Sequence, residues 1–411
     1  MRIVLVGDLM VSHSLRDEPA ASALSAVRGL LARADAGFAN FESVAHDFQW
    51  PPMTPSGGSW ARTPPEVCAE LRELGVSLVS VANNHAGDYG PAAFASSLAT
   101  LSAAGLVYAG GGQDGVTAAA PAVLRTSAGS IGLVAATATC PAHAVATRSC
   151  GAVPARYGVN TLRRKGSYQV PGRHLAALSD VSAEFFGSGG EDRVVFGGVA
   201  FERGDSFHRE ESVDENSLNV LLDAVRKVRS ESRVVLVSVH CHARERDPHT
   251  PPAFLVGACR ALVDAGADVV VAHGPHVARP VEIYRGRLIC YGLGSLLLRP
   301  DDAAQPAEVY AAHGLRPGDG PGLTARRLRG LAAGGEDCSA LVVDATVEGG
   351  ALRRVDVHPV LLDTDPGSPS AGLPRRLSAA ESDLVLERSG VARLDVPRGL
   401  VVAGVSASPR G

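Results

Sequence analysis

Three times in this chain a helix-like stretch meets a glycine, passes into a short apolar run and stops at polar residues. The three stretches are ELGVSLVSVAN (73–83), SAAGLVYAGG (102–111) and VDAGADVVVAHG (263–274). A glycine after the last helical turn is a C-cap signal. A short run rich in β-branched residues is a buried strand. This repeated unit requires alternating helices and strands.

The rest of the chain continues the pattern. Strands are expected at Arg2–Val6, Phe38–Phe41, Arg193–Val199 and Arg233–His240. Helices are expected at Glu18–Ala34, Pro64–Leu74, Pro91–Ala104, Leu218–Val228 and Phe254–Ala265, with hairpins around Ser127–Ser130 and Arg285–Arg287. Ala142–Gly190 reads as irregular apart from a helix near Arg173–Phe186, and Pro300–Glu336 as a long loop or lid. A last hairpin (Leu341–Val347 with Leu352–Pro359) precedes a closing helix, where Ser378 and Glu381 form a capping box. The fold class is α/β: a mixed sheet, or two packed sheets flanked by helices.

Composition removes several function classes. With 45% hydrophobic and 20% charged residues in 411, the chain can bury a sizeable core, as one large domain or two ordinary ones. A net charge of −4 gives no general attraction to nucleic acid or anionic membrane. The apolar runs are too short for a spanning helix or a signal h-region, so a cytoplasmic protein without a membrane anchor is expected. Seven cysteines with no CxxC pair fit a reducing compartment.

Chemistry gathers at the strand ends. The first strand ends in Gly7-Asp8 and the second carries Asn40 and Glu42. The stretch VSVANNH delivers Asn83, Asn84 and His85; VSVHCHARE delivers His240, His242 and Glu245; VVVAHGPHV delivers His273 and His276. In open α/β sheets the C-terminal ends of strands are where ligands bind. Imidazoles mixed with oxygen donors suit Mn, Zn, Fe or Mg. Five ligand-bearing segments exceed what one tetrahedral ion takes, so two bridged ions are expected, with one histidine left for proton transfer.

The order of these motifs resembles the capsule-synthesis CapA family, relatives of the calcineurin-like metallophosphoesterases. The resemblance rests on GD, the AN-E pair, ANNHAGDYG, H-x-H and GADVVVAHGPHVARPVEIYRGRLICYGLGS. It implies a four-layer αββα sandwich of two mixed sheets, with residues 1–362 as the family domain and 363–411 as an extension. It implies Asp8 and His276 as ligands of a first metal, Glu42 as the bridging carboxylate, and Asn84, His240 and His273 on a second. His85 would be the catalytic histidine and His242 an extra ligand or substrate contact, with Asn40 as a further candidate. One departure stands out: Met10 occupies the position where relatives keep a histidine, and His13 is the nearby candidate to replace it. This leaves open whether one ion or two are held.

Three functions follow. One is hydrolysis of a phosphoester or γ-glutamyl-type amide. The second is binding of poly-γ-glutamate or another polyanion without chemistry, and the third is acyl or amide transfer. Each implies an anionic small molecule or polymer as partner. Arg163 and Arg164 are candidate substrate contacts. The remaining histidines and the GGGQDG turn read as structural.

Overall fold

The computed structural model describes residues 1–53, 58–300, 304–391 and 400–404. Two mixed β-sheets dominate it. The first runs in the order Pro374–Arg375, Ala351–Leu362, Ser339–Glu348, Arg2–Met10, Ala36–Phe41, Val76–Ser80, Val107–Ala109. Ser295–Leu298 adds to the end of Arg2–Met10, and Val401–Gly404 pairs with Ala351–Leu362. The second sheet runs Val281–Tyr284, Arg287–Cys290, Val269–His273, Val234–His240, Gly129–Thr137, Ala122–Thr126. Its central strands are parallel and its edges are the two expected hairpins.

The sheets share one apolar core. Ile3, Leu5, Phe38 and Val79 of the first lie in the same cluster as Leu133, Leu236 and Val271 of the second. Helices Pro65–Leu74 and Gly90–Ala103 pack on the first sheet and Ala253–Asp264 on the second, giving the expected α/β sandwich. Val, Leu and Ala fill this core because strands buried on both faces need apolar side chains at most positions.

Residues 162–218 form a separate compact unit. Its four strands run in the order Arg193–Phe196, Val199–Gly204, Arg164–Pro171, His208–Val213, with helix Gly172–Phe186 against them. The helix is where the sequence places it. The single strand expected over Arg193–Val199 is instead a hairpin, turning at Gly197 and Gly198, both at positive φ. Its neighbours RKGSYQVP and HREESV are largely exposed and polar, so apolar alternation did not mark them.

A second difference lies in the stretch read as a loop or lid. Pro300–Glu336 contains helices Ala307–Ala312 and Gly320–Ala333. Asp319 caps the latter by accepting from the Gly322 N–H at 2.9 Å, and Leu323 and Leu328 bury its inner face. Gly and Pro crowd its first turn, where they are tolerated, and hid the pattern behind them. The expected helix over Glu18–Ala34 is also split, into Ala20–Ala23 and Ser25–Leu31. The Ser378–Glu381 capping box forms as read. Among the described residues no helix is long and apolar enough to cross a membrane, and no disulfide joins the cysteines.

The first strand is placed by a glycine. A Cβ built on Gly7 would lie 1.8 Å from the carbonyl oxygen of Gly294, and the next N–H, of Asp8, donates to that oxygen at 2.9 Å. Gly7→Ala should therefore lower unfolding free energy by at least about 2 kcal/mol, read from urea midpoints. An unchanged midpoint would refute this close approach.

Candidate metal centre

Strand register assembles the site. On the first sheet Asp8 pairs with Asn40 on one side and Ser295 on the other. On the second His240 pairs with His273. Asn83 and Asn84 follow the strand Val76–Ser80, where Asn83 caps a short turn by accepting from the His85 N–H at 3.1 Å. Gly274, at φ 121°, lets the loop after His273 approach the backbone of Cys241, and His276 sits beyond it at φ 54°. A left-handed non-glycine residue stores strain of the sort found at functional sites.

Two groups of donor atoms result: Asp8 with His240 and His273, and Glu42 with His242 and His276, the atoms of each within 4.8 Å of one another. His242 thus stands inside a donor group, and Asp8 groups with His240 and His273, whereas the resemblance pairs it with His276. Asp8 and His276 nonetheless stay in reach, 3.6 Å from Oδ2 to Nδ1. Asn84 lies between the groups, its Oδ1 2.8 Å from His240 Nε2 and 3.1 Å from His242 Nε2.

Neighbouring polar atoms orient these side chains. Asn40 donates to Asp8 Oδ1 at 2.8 Å and receives a hydrogen bond from Asn83 at 3.3 Å. Ser238 Oγ is 2.6 Å from His273 Nε2, which leaves Nδ1 for the centre, 3.0 Å from Nδ1 of His240. Ser295 Oγ is 2.8 Å from His276 Nδ1. His85 Nδ1 is 2.7 Å from Asp88 Oδ2, which also accepts from the Ala61 N–H at 2.7 Å. With Nδ1 committed, Nε2 is the ring atom of His85 left for chemistry.

The electrostatics suit a cation. Glu42 is fully buried, and its Oε1 has no hydrogen-bond partner although His240 Nε2 and His242 Nε2 lie 3.6 and 3.7 Å away. A buried acceptor without a partner is costly. Burial first, then the charge of Asp8 and a hydrogen bond shared with it, push the Glu42 carboxyl well above its usual range. Burial also raises Asp8, but His276, His273 and Asn40 together bring it below the normal value. Burial holds the imidazoles neutral: His240 falls well below its ordinary value, His273 to about 4 and His242 to about 3. Neutral imidazoles are the form that binds metal, and the Glu42 charge that burial and Asp8 disfavour is one that a bound cation would stabilise. The donor set therefore fits a divalent cation.

The other candidates are in neither donor group. His13 is exposed, with Nδ1 3.2 Å from Ser12 Oγ, and is in neither group. Met10 is buried in an apolar cluster with Leu298 and Leu328. Arg163 and Arg164 belong to the 162–218 unit, where they pair with Asp214 and Glu211 at 3.0 and 2.9 Å. Sequence reasoning passed over Ser238, Ser295 and Arg279. Arg279 is fully buried and donates to the carbonyls of Ala243 and Pro248, both at 2.9 Å, which anchors the loop after His242. Burial draws it down to about 10. A lone arginine inside the apolar HVARPV run was the available signal.

Residues 2–299 match the model of the bacterial capsule synthesis protein family PGA_cap. An uncharacterized Sinorhizobium fredii protein is 30% identical over 317 residues, 75% of this chain and 68% of its own. The PGA biosynthesis protein CapA of Bacillus subtilis is 33% identical over 79 residues, 19% of this chain and 20% of its own. A probable polyglutamine synthesis accessory protein of Mycobacterium tuberculosis is 36% identical over 87 residues, 20% of this chain and 22% of its own.

The buried imidazoles set a pH dependence. Unfolded histidines take up protons below about 6.5, whereas folded His273 resists until about 4. In that window the unfolded state binds more protons, so stability falls as pH falls. For metal-free protein, His273→Asn should flatten the loss between pH 6.5 and 4.5 by on the order of 2 kcal/mol. Parallel urea curves for variant and wild type across that range would contradict the assignment.

Proposed function

Because the chain belongs to the bacterial capsule synthesis PGA_cap family, we propose that its clustered strand-end residues form a metal-dependent hydrolase centre acting on a phosphoester or a γ-glutamyl-type amide. The observation that carries this reading is Glu42 Oε1, a buried carboxylate oxygen without a hydrogen-bond partner, beside two neutral imidazoles. Asp8, His240 and His273 would hold one cation, and Glu42, His242 and His276 a second, with Asn84 Oδ1 between them. Such an ion (Mn, Zn, Fe or Mg) polarises the substrate oxygen and lowers the pKa of water.

The protein's own residues do the rest. Asp88 fixes the tautomer and orientation of His85, so that Nε2 can give a proton to the leaving oxygen or nitrogen. Asn40, Ser238 and Ser295 hold their partners in one rotamer, as residues behind a metal ligand do. Burial of Asp8, Glu42, His240 and His273 removes water from these groups and strengthens the interactions among them.

A second reading has its own support. Two similar proteins carry names for biosynthetic or accessory roles in polymer synthesis. In that case the same centre holds a polyanion without turnover, or transfers an acyl group to an amine acceptor in place of water.

Metal analysis of protein reconstituted with Mn or Zn separates these readings from a purely structural cluster. Wild type should retain one to two equivalents, and His240→Ala with His276→Ala should lose them. His85→Ala should keep its metal and lose about 10²–10⁴-fold in kcat on whichever phosphoester or γ-glutamyl amide is turned over. Full activity of His85→Ala would refute its role. Wild type that retains no metal would refute the centre.

A further inference from the structure

One loop touches both the second-sheet histidines and the turn that carries His85. Residues 138–160 follow the strand Gly129–Thr137, whose last residue pairs with His240. At the start of the loop the Ala138 N–H donates to the His240 carbonyl at 2.7 Å, and Thr139 Oγ1 accepts from the His242 N–H at 3.1 Å. At its end the Asn160 carbonyl accepts from the Thr137 N–H at 3.0 Å. Between these ties the loop folds against the ANNHAGDYG turn. A Cβ built on Gly87, two residues past His85, would lie 2.7 Å from Ala144 Cβ and 3.0 Å from His143 Nε2.

Arg156 holds this part of the loop. Its Nη2 donates to the carbonyls of Val145 and Ala142 at 2.9 and 3.2 Å, on either side of His143 and Ala144. Both acceptors are neutral, and among the described residues no carboxylate pairs with the guanidinium. Arg156 Nε is buried without a hydrogen-bond partner among these residues, and so is His143 Nε2. No aspartate or glutamate occurs from Gly115 to Ser179, so the neighbouring sequence supplies no counter-charge. Arg163 and Arg164, by contrast, already pair with Asp214 and Glu211. A half-buried guanidinium with its charge and its Nε–H both unanswered favours an anion from outside the chain.

We propose that Arg156 anchors a second anionic group of the substrate, one that flanks the bond under attack, so that the substrate is a chain of repeated carboxylates or phosphates. A guanidinium suits this task. It stays charged at any working pH, and its planar fork can hold two oxygens of one anion. In a γ-glutamyl chain every residue carries its own carboxylate, and in a phosphodiester chain every link carries a charge. Holding one such group beside the His85 turn restricts the chain before the reacting bond is engaged. The place of Arg156 in a reaction rests on the hydrolase reading, whereas its anchoring is measured as binding.

The experiment is calorimetric titration of full-length, metal-loaded protein carrying His85→Ala, so that ligand is bound and not turned over. One arm uses γ-linked tetraglutamate against glutamate. The other uses a phosphodiester-linked glycerol phosphate tetramer against glycerol phosphate. This parent protein is compared with Arg156→Gln, Arg156→Lys and Arg148→Gln made in it, with metal content and Tm recorded for each. Arg148 is exposed on the same loop and controls for charge alone. The parent should bind at least one tetramer about tenfold or more tighter than its monomer, and the arm that does so identifies the repeated anion. Arg156→Gln should weaken the tetramer about tenfold while keeping its metal, Arg156→Lys should weaken it less, and Arg148→Gln should leave it within about twofold. A parent that binds neither tetramer, or binds them no better than the monomers, overturns the proposal. So does equal affinity in Arg156→Gln, or an equal loss in Arg148→Gln, which would mean a diffuse field in place of a site. Loss of metal or a large fall in Tm in both Arg156 variants also overturns it, because Arg156 is then a structural tie between Ala142 and Val145. If the parent and wild type hold no metal, the hydrolase reading fails, and the same titrations on metal-free protein still decide the role of Arg156.

Discussion

Asp8 and Glu42 are two carboxyl groups buried together at the ends of adjacent strands, and the rest of the molecule answers that placement. Neither can be left in a low-dielectric interior without compensation. Asp8 is compensated by Asn40, the Gly274 N–H and two imidazoles. Glu42 is not: one of its oxygens has no hydrogen-bond partner. A fold that keeps this oxygen dry loses stability unless something positive completes it. Four histidines held around the pair point the same way.

The scaffold explains how so many polar groups converge. Each sheet ends several parallel strands at one edge, and the two sheets share a single core. Strand ends from both sheets therefore meet across a short distance. A buried parallel strand leaves few polar positions along its length, so most polar chemistry gathers at or near its end. Orientation then comes from residues one step back, such as Ser238 behind His273 and Asp88 behind His85.

This logic made much of the site legible in the sequence. Asp8, Asn40, Glu42, Asn84, His240, His242, His273 and His276 each follow or end an apolar run, and their polar atoms lie within reach of one another, while His85 follows the same strand as Asn84 and is held by Asp88. Hidden from the sequence were contacts between residues distant along the chain. Nothing local marks Ser238 or Ser295 as partners of histidines, since serine is common in such strands. The grouping of His242 with Glu42 and His276 depends on how the two sheets face each other, which periodicity does not report. The helix Gly320–Ala333 was masked by the Gly and Pro of its own first turn, and the 162–218 sheet by strands too exposed and polar to alternate. Met10 was visible as a departure, but its role under Leu328 was not.

The account turns on Glu42 Oε1 being a metal ligand, and anomalous diffraction from crystals of the Mn- or Zn-loaded protein tests it most directly. The prediction is an anomalous peak about 2.0–2.3 Å from Glu42 Oε1, with a ring nitrogen of His242 or His240 at similar distance. A peak away from Glu42, or a loaded crystal with no peak at the strand ends, would contradict it.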